Sequence, residues 1–174
     1  MMNSDLIPLG SRPIDRAGHH RGDDAWQAQA FQREDALVFI LKEGRVLAGP
    51  DGGLVWLGPE AGGLAAEARR LFMGLDKEGA PVFALSMPEG FDLETSLIAG
   101  TGEFTDFRMC LARMGELEAN LASTARSIFE WHTSHRFCAK CGTESQMCEA
   151  GWKRICPACE TQHFPRTDPV AIML

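Results

Sequence analysis

Residues 138–159, CAKCGTESQMCEAGWKRICPAC, contain the pattern that predicts the fold of the second part of this chain. Two Cys-x-x-Cys pairs frame it, Cys138 with Cys141 and Cys156 with Cys159, and fourteen residues separate the pairs. Each pair places two sulfur atoms on one side of a tight turn, and two such turns facing each other present four thiolates to one tetrahedral ion. The spacing therefore predicts a metal-binding ribbon with these four cysteines as ligands.

Zinc is the expected ion, because it accepts four thiolates without a redox or geometric preference of its own. Iron in a rubredoxin-like site remains the alternative for the same ligands. Four cysteines leave no open coordination position, so the site is predicted to be structural rather than hydrolytic. Binding free energies of ~10–16 kcal/mol are typical of such sites, far more than a small ribbon gains from its apolar residues.

Other cysteines and histidines nearby are weaker candidates. Cys148 lies between the pairs but belongs to no Cys-x-x-Cys turn, and Cys110 sits in an apolar stretch that predicts a small buried side chain. His132, His135 and His163 flank the ribbon, and a histidine can replace one thiolate in some zinc sites. Four well-spaced cysteines make that replacement unnecessary, and His132 is expected to face the core from a helix.

Composition limits the classes of protein that fit. With 174 residues, 45% of them hydrophobic and 24% charged, the chain is long enough for one domain plus a small module without disulfides. No stretch approaches the ~18–20 apolar residues that cross a bilayer. The first residues carry an acid and prolines where a secretory signal needs a basic flank and an apolar run. We therefore expect no membrane partner and a reducing, cytoplasmic setting, in which paired cysteines bind metal.

The charge balance bears on partners. A formal net charge of −7 argues against a general polyanion binder. Residues 131–166 contain five basic and three acidic side chains. Four thiolates and one divalent ion carry a formal charge of about −2, which cancels this excess. A ribbon without net charge is expected to bind the phosphate backbone of a nucleic acid weakly. An interaction or adaptor module for protein or nucleic acid stays the competing interpretation.

Upstream of the ribbon, the pattern predicts an α+β domain. Residues 36–41 (ALVFIL) and 46–48 flank a turn signal and predict a hairpin. Residues 54–57 (LVWL) and 82–85 (VFAL) have the length and composition of two further strands. A loose N-terminal segment is expected over residues 1–32.

Two helices are predicted in the same domain. Residues 64–72 (LAAEARRLF) are mostly good helix formers. Residues 114–132 place apolar side chains every three or four positions and predict one amphipathic helix that leads into the cysteines. The predicted organisation is a mixed-sheet domain over residues 1–130 followed by a ribbon over residues 131–166.

Three stretches are similar to those of a known family: ARSIFEWHTSHRFCAKCG (125–142), GWKRICPAC (151–159) and HFPRTDPVAIML (163–174). Together they closely resemble the NADH pyrophosphatases (NAD diphosphatases) of the Nudix superfamily. The close resemblance covers about fifty residues, and upstream it depends on the order of strands and on the short runs GLVWL and FTDFR.

The resemblance implies a protein of three parts: an N-terminal Nudix-like domain without catalytic residues, a zinc ribbon, and a Nudix hydrolase domain whose first strand is residues 167–174. Members of the family cleave the pyrophosphate of NAD(H) to nicotinamide mononucleotide and AMP, and some remove NAD caps from RNA. They use Mg²⁺ or Mn²⁺ and act as homodimers. NAD(H) or a related dinucleotide, or NAD-capped RNA, is accordingly the implied ligand.

The glutamate-rich box that the family needs for catalysis is absent. Its nearest imitation, GGLAAEARRLF at residues 62–72, lacks the Glu-x-x-Glu-Glu cluster that would hold the divalent ions. We therefore expect no catalytic residue in this chain, which resembles a partial version of a longer enzyme and is inactive alone. The alternative is that residues 170–174 pair as a terminal strand of the present fold.

The resemblance also implies two substrate contacts. Arg108, in FTDFR, matches a family arginine implicated in substrate contact, and a guanidinium suits bidentate phosphate recognition. Phe164, in HFPR, matches an aromatic position that contacts substrate. A surface ion pair for Arg108 and a core anchor between the two modules for Phe164 remain the alternatives.

Overall fold

The structure, a computed structural model, describes residues 14–166. The predicted first strand of a hydrolase domain at residues 167–174 lies outside this range, as does the start of the N-terminal segment. Within residues 14–166, no helix is long and apolar enough to cross a membrane.

The main sheet contains five strands: β1 (Leu37–Lys42), β2 (Arg45–Ala48), β3 (Arg69–Leu75), β4 (Pro81–Met87) and β5 (Glu103–Asp106). Their order in this mixed sheet is β3-β4-β1-β2-β5. β1 and β4 pair in parallel, and the other neighbours are antiparallel. The hairpin of β1 and β2 confirms the sequence prediction, as does β4. The turn between β1 and β2 consists of Glu43 (φ 50°) and Gly44 (φ 75°). Two positive-φ residues in a hairpin turn match the right-handed twist of the strands.

Helices cover both faces of this sheet. They are α1 (Asp24–Phe31), α2 (Gly62–Ala65), α3 (Phe107–Leu111) and α4 (Glu116–Ser134). α4 confirms the predicted amphipathic helix and packs on the face that carries Phe39 and Leu41 of β1. α1 and α2 cover the opposite face, which carries Val38 and Ile40. Successive residues of a strand point to opposite faces, so β1 is buried on both sides and reads as a continuous apolar run.

The helix predicted for residues 64–72 is wrong. α2 ends at Ala65, and β3 begins at Arg69 and pairs antiparallel with β4. Leu71 and Phe72 are both 0% exposed and belong to the cores on opposite faces of the sheet. Two neighbouring residues reach opposite faces only in an extended strand, so sheet pairing overrides the local helix propensity.

Two other predictions need correction. Residues 54–57 form no regular strand and only touch the sheet through single bridges, Leu54 to Ala48 and Leu57 to Val38. The segment predicted to be loose contains α1, which Asp23 caps by accepting a hydrogen bond from the Trp26 N–H at 2.9 Å. No apolar periodicity marked this helix, because it buries few of its residues.

The ribbon is a three-stranded antiparallel sheet of β6 (Gln146–Cys148), β7 (Lys153–Ile155) and β8 (Gln162–His163). It docks on β3, the edge strand of the main sheet. The Trp152 indole N–H donates to the Phe72 carbonyl at 2.7 Å. Gly151 (φ 95°) lies so close to β3 that an added Cβ would sit 2.7 Å from Leu71 Cδ1. The ribbon thereby covers an edge that would otherwise expose unpaired backbone groups.

Candidate metal centre and ribbon interface

The four cysteines of the two pairs converge on one point. All four Sγ atoms lie within 4.8 Å of one another. Cys138 Sγ is 3.6 Å from Cys159 Sγ, and Cys141 Sγ is 3.5 Å from Cys156 Sγ. A tetrahedron with Zn–S bonds of about 2.3 Å has edges of about 3.8 Å, so these sulfurs fit a zinc ion with little adjustment.

The two Cys-x-x-Cys turns repeat the same backbone hydrogen bonds. In the first, the Cys138 N–H donates to the Thr143 carbonyl at 2.8 Å and the Gly142 N–H donates to the Cys138 carbonyl at 2.9 Å. The second repeats both bonds, from Cys156 to Thr161 at 3.0 Å and from Glu160 to Cys156 at 2.9 Å. This shared geometry directs both pairs of sulfurs toward one ion.

The residue that follows each pair has a left-handed backbone. Gly142 has φ 77°, which glycine adopts without steric cost. Glu160 occupies the equivalent position with φ 57°. A side chain in this region costs roughly 1–2 kcal/mol relative to the right-handed conformation, so the second turn is strained where the first is not.

The surroundings of the thiols shift their pKa values in opposite directions. A hydrogen bond with the Thr161 hydroxyl, 3.2 Å from Sγ, lowers the pKa of Cys159 to about 6. Burial raises the pKa of Cys156 to about 11. A divalent ion deprotonates a coordinating thiol outright, so zinc would hold all four sulfurs as thiolates.

Within the described range, the four cysteines are the only close group of three or more metal-ligating side chains. Cys148 lies outside this group, half-buried in the ribbon. Cys110 is 2% exposed and packs in the core beneath α4, as expected for a small apolar side chain. The donor set therefore fits a closed, structural zinc site.

Two family models match the chain in consecutive stretches. Residues 35–131 match the NADH pyrophosphatase-like rudimentary NUDIX domain, and residues 133–164 match the NADH pyrophosphatase zinc ribbon domain. The chain belongs to the NADH pyrophosphatase family.

Curated relatives of this NADH pyrophosphatase family member cover different parts of it. It is 36% identical over 104 residues to the human NAD(P)H pyrophosphatase NUDT13, mitochondrial, a match over 60% of the chain and 28% of the relative. It is 31% identical over 141 residues to the NAD-capped RNA hydrolase NudC of Deinococcus radiodurans, covering 80% of the chain and 45% of the relative. The Mycobacterium bovis NAD-capped RNA hydrolase NudC is 30% identical, over 97% of the chain and 52% of that protein. The chain thus spans about half or less of the length of these relatives.

A buried polar network joins the ribbon of this family member to α4. His132 is 1% exposed, and its Nε2 lies 2.7 Å from the Gly151 carbonyl. Its Nδ1 lies 3.1 Å from Nη1 of Arg154, which is 6% exposed. Arg154 Nε also donates to the Ser145 hydroxyl at 2.8 Å, and its Nη2 donates to the Ser145 carbonyl. The guanidinium of Arg154, on β7, therefore connects the end of α4 to the backbone carbonyls of Arg136 and Ser145.

The partners of His132 fix its protonation state. A carbonyl accepts only from an N–H, so Nε2 carries the proton, and Nδ1 accepts from the arginine as an unprotonated nitrogen. Burial, together with the positive charges of Arg154 and Arg69, lowers the pKa of His132 to about 4, and the bond to Gly151 only partly opposes this. The sequence predicted that His132 faces the core, but it gave no sign that Arg154 is its partner.

The two substrate contacts implied by the family resemblance lie in different places. Arg108 is exposed on α3, where its backbone N–H donates to the Asp106 carboxylate at 2.8 Å. Phe164 is 58% exposed and lines a cleft of about 770 Å³ between the end of α4 and the ribbon. Trp131 and Arg166 line the same cleft, whereas Arg108 does not. Their roles in substrate contact remain predictions.

Proposed function

We propose that this chain is the N-terminal and zinc-ribbon portion of an NAD(H) diphosphatase, which hydrolyses the pyrophosphate of NAD(H) to nicotinamide mononucleotide and AMP. In that enzyme the chain positions the dinucleotide and supports a homodimer, while a separate Nudix domain performs the hydrolysis. The observation that carries the proposal is the match to two family models in sequence order, one for the rudimentary Nudix domain and one for its ribbon.

The metal chemistry is divided between the two parts. Hydrolysis of a pyrophosphate needs Mg²⁺ or Mn²⁺ held by clustered carboxylates. Over residues 14–166 the metal-ligating side chains that come together are thiols, which suit zinc and not these harder ions. We therefore propose that zinc in this chain is structural, that the catalytic ions bind to the Nudix domain, and that the chain by itself does not cleave NADH.

The aromatic cleft beside the ribbon supports a role in substrate binding. Phe164 and Phe137 are 58% and 62% exposed there, and Trp131 forms part of the wall. Exposed rings at the mouth of a cleft can stack on a nicotinamide or an adenine. Arg166 in the same cleft, and Arg108 on α3, are the guanidinium groups proposed to meet phosphate oxygens.

The names of the relatives indicate two substrate classes, NAD(P)H for human NUDT13 and NAD-capped RNA for NudC of Deinococcus radiodurans. We propose NAD(H) as the primary substrate, because the ribbon carries no net charge with which to track an RNA backbone. We also propose a cytoplasmic setting, where thiols stay reduced and available to zinc.

The proposal is tested by NADH cleavage, followed as release of AMP. We expect turnover with Mg²⁺ or Mn²⁺ from the complete product of the gene and none from residues 1–174 alone. In the complete product, Phe164→Ala should raise KM, whereas Leu97→Ala, which removes a side chain 75% exposed elsewhere on the domain, should not.

Two results would contradict the proposal. Metal-dependent cleavage by residues 1–174 alone would show that the chain contains its own catalytic site. Failure of the complete product to cleave NADH, NAD⁺ or NAD-capped RNA would favour the adaptor function for the ribbon instead.

A further inference from the structure

The aromatic cleft beside the ribbon has two walls that come from different parts of the chain. Trp131, near the end of α4, and Phe137, in the segment after α4, belong to one wall. Phe164, which follows β8, belongs to the other. The spacing of these rings therefore depends on how the end of α4 is fixed relative to β8.

Arg154 of β7 does not line the cleft, but it is bound to the first wall. Its Nη1 donates to His132 Nδ1 at 3.1 Å, and its Nη2 donates to the Arg136 carbonyl at 3.4 Å. His132 follows Trp131 in the chain, and Arg136 precedes Phe137. One guanidinium therefore fixes the residue next to each ring of this wall.

The backbone of Arg154 is paired with the second wall. β7 and β8 are antiparallel, and Arg154 lies opposite His163 in their register. Phe164 follows His163 directly. Paired strands keep a spacing of about 4.8 Å, so β7 determines where β8 ends and where the Phe164 ring begins. The two walls are thus joined through a single residue that lies outside the cleft.

Arg154 is a buried charge without an acid partner. It is 6% exposed, and none of the ion pairs found in residues 14–166 includes it. Glu144 lies near enough to act on it electrostatically, but that carboxylate pairs with Arg136 at 2.7 Å. Hydrogen bonds to carbonyls largely offset the loss of water around such a charge and add little net stability. What the planar guanidinium contributes is a fixed geometry, because its N–H groups are rigidly placed.

Ser145 extends this arrangement. Its hydroxyl accepts from Arg154 Nε at 2.8 Å and donates to the Arg136 carbonyl at 2.9 Å, and its own carbonyl accepts from Arg154 Nη2. Arg154→Lys would replace the fork by one ammonium group, which cannot bind His132 and both carbonyls in the same geometry.

We propose that Arg154 is a positioning residue, which sets the spacing of the rings in the aromatic cleft and thereby the affinity of the cleft for a base of the dinucleotide. It acts through Trp131 and Phe137 on one side and through Phe164 on the other, and it touches no ligand itself. This role rests on the proposed function, because it assumes that the cleft binds a nicotinamide or an adenine.

The first experiment measures KM and kcat for NADH with the complete product of the gene. A gap of about 0.5–1 Å already removes a quarter to a half of a van der Waals contact, so a shifted wall stacks poorly on a base. Arg154→Met and Arg154→Lys should each raise KM about tenfold, the size of one lost stacking contact, and leave kcat nearly unchanged. Added to Phe164→Ala, Arg154→Met should raise KM little further, because both changes affect the same contact.

Arg16→Met is the matched control. Arg16 is also a partly buried arginine that donates to protein acceptors, the Met73 carbonyl and the Asn120 amide oxygen, but it does not line the cleft. Its loss should lower the denaturation midpoint without changing KM. An equal rise of KM in Arg16→Met would overturn the proposal, because general destabilisation would then explain the effect of Arg154→Met.

A second experiment observes the cleft without turnover. 5-Fluorotryptophan labels the four tryptophans of zinc-loaded residues 1–174, and Trp131→Phe assigns the Trp131 signal in the fluorine NMR spectrum. Arg154→Met should shift or broaden this signal. Arg16→Met should leave it in place and shift the signal of Trp152, whose ring centroid lies 5.7 Å from the Arg16 guanidinium.

The results separate this role from the proposed function. The positioning role is overturned if Arg154→Met keeps the wild-type KM while Phe164→Ala raises it, or if the Trp131 signal is the same in Arg154→Met as in wild type. A complete product that does not cleave NADH would contradict the proposed function, and the Trp131 signal would then decide whether Arg154 positions the cleft.

Discussion

Protonation of His132 should weaken the attachment of the ribbon to α4 and thereby the whole fold. In the folded chain the ring accepts a hydrogen bond from Arg154 and donates one to the Gly151 carbonyl. A protonated ring cannot accept, and it would add a second buried positive charge beside the guanidinium. The folded state therefore binds the proton less readily than the unfolded state does.

The magnitude follows from the pKa of His132, which is lowered from 6.5 to about 4. Between these two values the unfolded chain binds more protons, so the free energy of unfolding rises with pH in this window. The stability is fully present above pH ~6.5 and is lost as the pH falls toward ~4. The neutral state of His132 contributes about 3 kcal/mol to the free energy of unfolding. About 2 kcal/mol of this contribution is lost between pH 7.5 and pH 5.0.

The assay compares denaturant unfolding of zinc-saturated wild-type chain with that of His132→Gln across this pH range. Protonation of the cysteines also destabilises the protein in acid, but it acts on both proteins and cancels in their difference. We expect the stability advantage of the wild type to shrink by about 2 kcal/mol from pH 7.5 to pH 5.0.

His135→Gln is the matched control, since His135 is an exposed histidine three positions along the chain. This variant should not reproduce the effect of His132→Gln, because it leaves the hydrogen bonds of His132 to Arg154 and to the Gly151 carbonyl in place. The reasoning fails if the difference between wild type and His132→Gln stays constant within about 0.5 kcal/mol, because His132 would then titrate alike in both states.

Three further results are expected. Glu160→Gly should stabilise the zinc-loaded chain by about 1 kcal/mol in thermal unfolding, because glycine relieves the strain of the left-handed backbone. Gly142→Ala should destabilise the chain by a similar amount, and effects of the same sign in both variants would contradict this reasoning. Gly151→Ala should cost about 1–3 kcal/mol, since its Cβ would meet Leu71; an unchanged denaturation midpoint would refute the close approach. Zinc chelation should shift Trp152 fluorescence to the red while the far-ultraviolet signal of the main sheet persists, and an unshifted emission would show that the ribbon stays docked without zinc.

Local spacing in the sequence was enough to predict several elements. The two cysteine pairs bring their own turn geometry, because each pair and the residues after it form the same short hydrogen-bonded loop. The β1–β2 hairpin and α4 were also predicted, since a turn signal between apolar runs and a helical period are properties of neighbouring residues.

Elements that depend on distant partners were not predicted. Residues 69–72 contain good helix formers, yet they form β3 because β4, which follows about ten residues later, offers an edge on which to pair. The edge strand β5 and the short helix α1 carry too few apolar residues to show a period.

The convergence of the four cysteines and the α+β domain before them were predictable, because both follow from residues a few positions apart. The contacts that hold the ribbon on the main domain were not predictable in this way. Arg154, 22 residues from His132, and Trp152, 80 residues from Phe72, meet their partners through packing of the ribbon on the β3 edge. Hydrogen bonds across such separations depend on where the chain folds back, and no local pattern of residue types encodes that position.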